Sequence, residues 1–243
     1  GRFYDYRLYD AIEFGVTTYR PVREFSAATL AQLGNKPAFI FVGDLFETDS
    51  RLRQAKSMIL DFITNLFISQ ETKEEAIAHF KLDSSKKTLL ILGGSLGART
   101  LNESVMNFVE EINASEVQII WQTGRFYYST IVENASKQMR SGIKIFEFIS
   151  NMDIAYAAAD VIVARAGAGT ISELCLVGKP VILVPSPNVA EDHQTKNAMA
   201  LVKHQAAVLV KDVNAVKELI PTALDLLKNN SQMDTLATAI KKL

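Results

Sequence analysis

The sequence predicts an α/β fold in which a doubly wound parallel sheet follows a short N-terminal α+β segment. From Lys87 onward, short β-branched runs alternate with longer segments whose apolar residues recur at the helical period. The runs contain few polar residues, as is typical of strands covered on both faces. Right-handed crossover helices between parallel strands would supply that cover.

Each predicted strand is followed by a predicted helix. The strands lie in the segments KTLLILGG, VQIIWQTG, IKIFEF, DVIVARAG, PVILVPS and AAVLVKD. The helices span residues 99–112, 127–139, 152–159, 169–177, 191–204 and 212–229. This alternation predicts one sheet, with the loops that follow all the strands gathered at its carboxyl edge.

The first 68 residues have a different pattern. GRFYDYRLYDAIEFGVTTYRPVREF is rich in aromatic residues, KPAFIFVGDLF predicts one strand, and SRLRQAKSMILDFITNLF predicts one amphipathic helix. One strand and one helix cannot close a core, so we predict a boundary near residue 68 between segment 1–68 and domain 69–243. Ser69 is a candidate cap for the helix that opens the second part.

Composition excludes several classes of protein. The 243 residues carry a net charge of −1 with scattered basic residues, so the main domain lacks the footprint of a nucleic-acid binder. Cys175 is the single cysteine, which excludes an intrachain disulfide and a thiolate metal cluster and indicates a reducing, cytoplasmic setting. No apolar run approaches the roughly 20 residues of a transmembrane helix, and no secretory signal opens the sequence. We assign no metal and no cofactor.

A glycine-rich turn follows the first predicted strand of the domain, in the segment ILGGSLGART. Glycine lets a ligand approach the main chain, and the N–H groups at a helix start attract anions. Gly94 and Ser95 are therefore candidate phosphate contacts. The alternative is an ordinary tight turn between a strand and a helix.

A second glycine-rich turn follows the fourth predicted strand, in DVIVARAGAGTISELCLVG. Ala168, Gly169 and Thr170 place small residues and backbone donors at a helix start. Glu173 follows Thr170 by three residues, and this spacing has two readings. The pair could form a capping box, or Glu173 could accept hydrogen bonds from a ribose diol.

A third loop, VPSPNVAEDHQTKNA, follows the fifth predicted strand. His193, Gln194 and Asn197 lie in the first turn of the next helix and offer the neutral donors and acceptors that read sugar hydroxyls. The alternative is a solvated helix start. Three such loops at the carboxyl ends of parallel strands together predict a ligand site.

The motifs LGGSLGARTLNE, WQTG, EFISNMDIAYAAADVIVARAGAGTISEL and GKPVILVPSPNVAEDHQTKNA occur in the order of one bacterial family. From about Glu71 to Leu243 the sequence resembles the C-terminal domain of the MurG family, which transfers N-acetylglucosamine (GlcNAc) from UDP-GlcNAc to a lipid-linked muramyl-pentapeptide. The resemblance implies the Rossmann-like, nucleotide-sugar half of a GT-B enzyme, working at the cytoplasmic face of the bacterial inner membrane.

The same resemblance assigns roles to individual residues. It implies that Ser95 contacts the diphosphate, that the Ile149 backbone reads uracil beside Met152, and that Glu173 binds the ribose. His193 and Gln194 would read the sugar. The residues expected to bind UDP-GlcNAc are Gly94, Ser95, Ile149, Met152, Ala168, Gly169, Thr170, Glu173, His193 and Gln194.

The family also implies parts that this sequence lacks. A GGTGGH-like loop of an N-terminal, acceptor-binding domain and a GNPVR linker are absent, and the family's last helix would follow Leu243. We therefore assign no catalytic residue and expect little or no transfer to the lipid-linked acceptor unless an N-terminal domain is supplied.

Residues 1–66 are instead similar to part of the Brix domain of the ribosome production factor 2 family, through YDY, FVGD and LRQAKSMILDF. That likeness suggests a composite chain and gives the alternative function of a protein- or RNA-binding module. A nicotinamide dehydrogenase is disfavoured because the G-x-G-x-x-G fingerprint is missing.

Overall fold

The predicted sheet forms in the computed structural model, which describes residues 71–135, 138–188 and 192–243. The segment 1–68 and Ser69 lie outside the described residues. The strands are β1 Thr88–Leu92, β2 Gln118–Gln122, β3 Ile143–Phe146, β4 Val161–Ala164, β5 Val181–Leu183 and β6 Val208–Leu209. Every neighbouring pair is parallel, in the order β3-β2-β1-β4-β5-β6, which confirms the predicted fold class.

Helices connect all successive strands. The described helices are α1 Lys73–His79, α2 Arg99–Asn107, α3 Val109–Ala114, α4 Tyr128–Ala135, α5 Met152–Ala158, α6 Ala168–Val177, α7 His193–Lys203, α8 Asp212–Lys228 and α9 Asn230–Ile240, of which α1 precedes β1 and α8 and α9 follow β6. The predicted helix 99–112 is two helices that meet at Phe108, and α9 was not predicted. Thr72 caps α1 in a reciprocal capping box with Glu75, three residues after the predicted cap Ser69. Within the described residues, none of the helices has the length and apolar character to span a bilayer.

The strand order creates a switch point beside β1. The chain winds outward from β1 to β2 and β3, then returns to place β4 on the other side of β1, where Leu90 pairs with both Ile120 and Ile162. The crossovers after β1 and β4 therefore leave in opposite directions and open a crevice at the carboxyl ends of these strands, where open α/β sheets bind ligands.

Both faces of the sheet are buried. Successive residues of β1 point to opposite faces, and each face packs against its own hydrophobic cluster. Leu89 and Ile91 pack in the cluster that includes residues of α2, α3 and α8. Leu90 and Leu92 pack in the cluster that includes residues of α1, α5 and α6. All five residues of β1 are buried, as the uninterrupted apolar run predicted.

A buried amide fixes α2 to the sheet. The side chain of Asn102, 3% exposed, accepts a hydrogen bond from Trp121 Nε1 at 3.0 Å and donates to the Thr123 carbonyl at 2.9 Å. Because both ends of the carboxamide are used, the helix has a defined position on β2. The turn between β1 and α2 is therefore fixed at one end by the sheet and at the other by Asn102.

Two glycines let that turn lie against the loop after β2. Gly97 has φ +99° and Gly124 has φ +80°. A Cβ on Gly124 would lie 2.1 Å from the Gly97 nitrogen and 2.2 Å from its Cα. The two backbones are thus closer than any side chain permits, and hydrogen bonds from Arg125 N to Ser95 O and from Phe126 N to Leu96 O join them.

We predict that Gly124→Ala lowers the free energy of unfolding by about 3 kcal/mol, since the methyl group meets backbone and φ is strained. Gly142→Ala is the matched control, because its Cβ would find its nearest neighbour at 3.5 Å. Urea unfolding of the control should differ from wild type by less than about 1 kcal/mol. Equal losses in the two variants would contradict the close approach of the loops.

Candidate functional site

The turn after β1 offers one open backbone position. A Cβ on Gly93 would lie 2.7 Å from the Gln122 carbonyl oxygen, and Gly97 is enclosed by the loop after β2, but a Cβ on Gly94 would have nothing within 4 Å. Gly94 has φ +76°, which few side chains adopt. Gly94 and Ser95 are exposed at the tip of the turn. Of the three glycines, Gly94 is therefore the one available to a ligand.

The second turn leads into α6 without a side-chain cap. Gly167 is the N-cap residue of α6 and has no side chain with which to pair the first amides. The N–H groups of Ala168, Gly169 and Thr170 therefore have no intrahelical acceptor. Thr72 caps α1 and Asn229 caps α9, whereas α2, α3, α5, α7 and α8 resemble α6 in having no side-chain cap. An uncapped helix start beside the switch point attracts anions.

The capping-box reading of Thr170 and Glu173 was wrong. Because α6 begins at Ala168, Thr170 is already its third residue and cannot be the cap. Glu173 instead accepts a hydrogen bond from the hydroxyl of buried Tyr156 at 3.1 Å. Burial raises the pKa of Glu173, and the Tyr156 hydrogen bond opposes this by stabilising the carboxylate. One carboxylate oxygen is thus fixed by α5, on the neighbouring crossover.

The loop after β3 contains Ile149 and leads into α5 at Met152. The buried Ile149 N–H donates to Gln122 Oε1 at 2.9 Å. This bond joins the loop after β3 to the end of β2. This bond leaves the Ile149 carbonyl as the backbone group able to meet a ligand. Met152 is the first residue of α5 and packs, partly buried, against the core.

The third loop is tied to the second. Gln194 Oε1 accepts from the N–H groups of Ala166 at 3.2 Å and Ser186 at 2.8 Å. Asn197 Nδ2 donates to the Ala166 carbonyl at 3.1 Å. Both backbone groups of Ala166 are thus paired by α7 side chains. His193 begins α7 and is half-buried.

An ion pair that the sequence pattern does not predict braces the same edge. Arg165 Nη1 donates to the Val184 carbonyl at 3.0 Å and lies 2.5 Å from Asp212 Oδ1. The other Asp212 oxygen accepts from the Thr100 hydroxyl at 3.1 Å. Arg165 therefore connects the ends of β4 and β5 with α8, and through Asp212 with the first turn of α2.

Hydrogen bonds connect some of the predicted site residues to one another but not others. Hydrogen bonds join α7 to the second turn, and α5 to α6 through Tyr156 and Glu173. Gly94 and Ser95 lie on the adjacent turn of the switch point, without a direct hydrogen bond to those groups among the described residues. Tyr156, Gln122 and Arg165 were not predicted, because a sequence pattern does not reveal contacts between separate elements.

These features define a class of protein. A sheet of this order, with glycine-rich turns on both sides of its switch point, is a Rossmann-like α/β domain of the GT-B type. A family model described as "Glycosyltransferase family 28 C-terminal domain" matches residues 88–243. The chain belongs to this family.

Individual relatives agree with the family. The chain is 54% identical over 175 residues to a UDP-N-acetylglucosamine--N-acetylmuramyl-(pentapeptide) pyrophosphoryl-undecaprenol N-acetylglucosamine transferase of Parabacteroides distasonis, covering 70% of this chain and 46% of the relative. It is 53% identical to the transferase of the same name from Phocaeicola vulgatus, over 71% of this chain and 46% of the relative. The chain therefore spans about half the length of these curated relatives.

A solved structure is similar as well. The crystal structure of Acinetobacter baumannii MurG matches with a TM-score of 0.59 and 26% identity, over 74% of this chain and 50% of that one. The resemblance to MurG predicted from the sequence is confirmed over the C-terminal domain.

We predict that Gln194→Leu lowers the free energy of unfolding by about 2 kcal/mol, because the N–H groups of Ala166 and Ser186 lose their acceptor. Hydrogen exchange at these two amides should accelerate together. Gln194→Glu keeps an acceptor oxygen and is the matched control. If the leucine variant is as stable as the glutamate variant, the carboxamide does not hold these loops.

Proposed function

We propose that residues 69–243 bind UDP-GlcNAc as the donor half of a transferase that moves GlcNAc to undecaprenyl-pyrophosphoryl-MurNAc-pentapeptide in peptidoglycan synthesis. The observation that carries the proposal is the pair of turns at the switch point: Gly94 has an open backbone and α6 an uncapped start. The names of the curated relatives support the same donor and acceptor.

We assign the diphosphate to the two turns. Ser95 and the amides of Ala168, Gly169 and Thr170 would donate to phosphate oxygens, and the positive end of the α6 dipole adds to the attraction. These groups are neutral, so they hold an anion without an ion pair. The diphosphate is also the leaving group of the transfer, and donors fixed in advance stabilise the charge that develops on it.

The nucleoside and the sugar occupy the flanking loops in this proposal. The Ile149 carbonyl accepts from uracil beside Met152, and Glu173 accepts from the ribose diol with the carboxylate that Tyr156 orients. The Gln194 oxygen is already paired with two backbone amides, so its side-chain N–H group would donate to a sugar hydroxyl, together with His193.

Transfer also needs a lipid-linked acceptor held against the donor. Bringing two reactants into position can lower a barrier by roughly 7–11 kcal/mol, and that gain requires both to be bound. We propose that a domain N-terminal to residue 69 in the intact enzyme supplies the acceptor site at the cytoplasmic face of the membrane. The domain boundary near residue 68, the Brix-like segment and the composite chain remain predictions about residues outside those described.

Calorimetric titration with UDP and UDP-GlcNAc tests the donor proposal directly. Saturable binding of both ligands is expected, whereas no binding of UDP at millimolar concentration would contradict it. A nicotinamide dinucleotide is the control ligand, because the G-x-G-x-x-G fingerprint is missing.

We predict that Gly94→Val abolishes UDP binding while the domain stays folded. The new side chain enters open space where a phosphate would meet the backbone, although φ +76° strains it by about 1–3 kcal/mol. Calorimetry and circular dichroism measure the two outcomes. Retained affinity in a folded variant would rule out the proposed phosphate position.

We predict that Glu173→Ala weakens UDP binding by about 1–3 kcal/mol through loss of a charged acceptor. The wild-type affinity should fall as the pH is lowered through the raised pKa of Glu173, since the protonated carboxyl accepts poorly. Tyr156→Phe removes a hydrogen bond that lowers this pKa, so the loss of affinity should begin at a higher pH. Titrations across pH 4 to 8, a range set roughly around the ordinary pKa of glutamate, measure the shift.

Two controls separate a ribose contact from a structural effect. Glu173→Gln should bind UDP weakly at every pH, because it cannot ionise. Its deficit should shrink for 2′-deoxy-UDP, which lacks one of the hydroxyls assigned to Glu173. Identical pH profiles for wild type and Tyr156→Phe would contradict the positioning role of Tyr156.

A further inference from the structure

A cavity of about 280 Å³ opens at the amino edge of the sheet, opposite the candidate nucleotide site. Its walls are the loop 81–86 between α1 and β1, Gln118 at the start of β2, and residues 140–142 with Lys144 at β3. Sites for drug-sized ligands have volumes of about 300–1,000 Å³, so this cavity suits a smaller ligand.

The cavity is strongly basic. Four cationic side chains, Lys81, Lys86, Arg140 and Lys144, line it against one carboxylate, Asp83. The carboxylate accepts from the N–H and hydroxyl of Ser85, which lowers the pKa of Asp83 and keeps it ionised. Lys86 forms an ion pair with exposed Glu116 at 2.9 Å. Lys81 and Lys144 form no ion pair with a described residue.

Arg140 contributes a donor that has no acceptor. Its Nη1 donates to the Asn113 carbonyl at 3.1 Å and its Nη2 to the Val117 carbonyl. Both acceptors are neutral, and the Glu116 carboxylate, which pairs with Lys86, acts on the guanidinium only through a weaker electrostatic interaction. Nε is buried and has no hydrogen-bond partner in the described part of the chain. A buried donor without an acceptor is unfavourable, and an anion would relieve it.

Gly142 leaves space beside that nitrogen. A Cβ on Gly142 would lie 3.8 Å from Arg140 Nε and 3.5 Å from Gln118 Cβ, in ordinary contact with both. Buried Gln118 fixes the adjacent wall, since it accepts from Asp83 N at 2.9 Å and donates to Asp83 O at 2.8 Å. The wall is therefore held in place, and a Cβ at residue 142 would take up the room that Gly142 leaves near Nε.

We propose that this cavity binds a phosphate group, either free phosphate or the phosphomonoester of a lipid headgroup, between Arg140, Lys81 and Lys144. One phosphate oxygen accepts from Arg140 Nε, and the two lysines balance the charge. Arginine and phosphate form strong, charge-assisted hydrogen bonds, which makes phosphate the matching anion. The site is separate from the proposed nucleotide site and does not depend on it.

The Nε–H resonance of Arg140 in ¹⁵N NMR tests the proposal at the atom concerned. Inorganic phosphate is titrated at constant ionic strength, with UDP present to occupy the other site. A saturable shift is expected for wild type and a weaker response for Gly142→Ala, because its Cβ takes up the room beside Nε. Gly142→Asp places a carboxylate beside Nε, so its resonance should start at a shifted position and stop responding to phosphate.

A second variant keeps the test independent of residue 142. Lys81→Gln combined with Lys144→Gln should weaken phosphate binding about tenfold, whereas Lys228→Gln, on the exposed face of α8, should leave it unchanged. The proposal is overturned if chloride produces the same shift at equal ionic strength, or if the double variant binds like wild type.

Vesicles distinguish the two sources of phosphate. Co-sedimentation with phosphatidylcholine vesicles that contain phosphatidic acid, lost in the lysine double variant, would identify a lipid headgroup. Saturable binding of inorganic phosphate without co-sedimentation would identify a soluble phosphate. Absence of both kinds of binding overturns the proposal.

Discussion

Hydrogen bonds between carboxamide side chains and loop backbone hold the ligand edge of this domain together. Asn102 pairs with Thr123, Gln122 with Ile149, Gln194 with Ala166 and Ser186, and Asn197 with Ala166. Each is an amide that can donate and accept without a net charge. A carboxylate in these positions would repel a diphosphate, and a lysine would compete with the backbone donors for it. Neutral carboxamides thus fix these loops, while the Arg165–Asp212 ion pair braces the ends of β4 and β5 at the same edge.

The same constraint explains why three glycines lie in one short turn. Gly93 packs on the Gln122 carbonyl and Gly97 on the loop after β2, so both serve close approach of backbones. Gly94 alone among them faces open space. Two of the three glycines in this motif are therefore needed for packing, and only Gly94 is available to a ligand. The number of glycines alone would suggest a larger contact with the ligand.

The sequence predicted the strands well because strands buried on both faces are continuous apolar runs, as in TLLIL. It predicted one helix over 99–112 because the apolar period continues through Phe108, where the helix breaks without a glycine or proline to mark it. The polar loop residues were found by composition, but not their partners. Nothing local indicates that Tyr156 donates to Glu173 across two helices, or that the Gln194 oxygen is already used by the backbone. Those contacts arise from the packing of crossovers and exist only after folding.

Helix direction accounts for the different chemistry at the two edges. Crossover helices begin at the carboxyl edge, where their uncapped starts favour anions, and end at the amino edge, where their carbonyls favour cations. Lys179 donates to the carbonyls of Ala157 and Ala159 at the end of α5, and Arg140 donates to that of Asn113 in the last turn of α3. Burial lowers the pKa of Lys179 to about 8, and nearby Asp160 only partly offsets this desolvation. Neutral carbonyls attract these cations but do not cancel their charge. The direction of the helices favours cations at the amino edge, and the basic cavity lies at that edge.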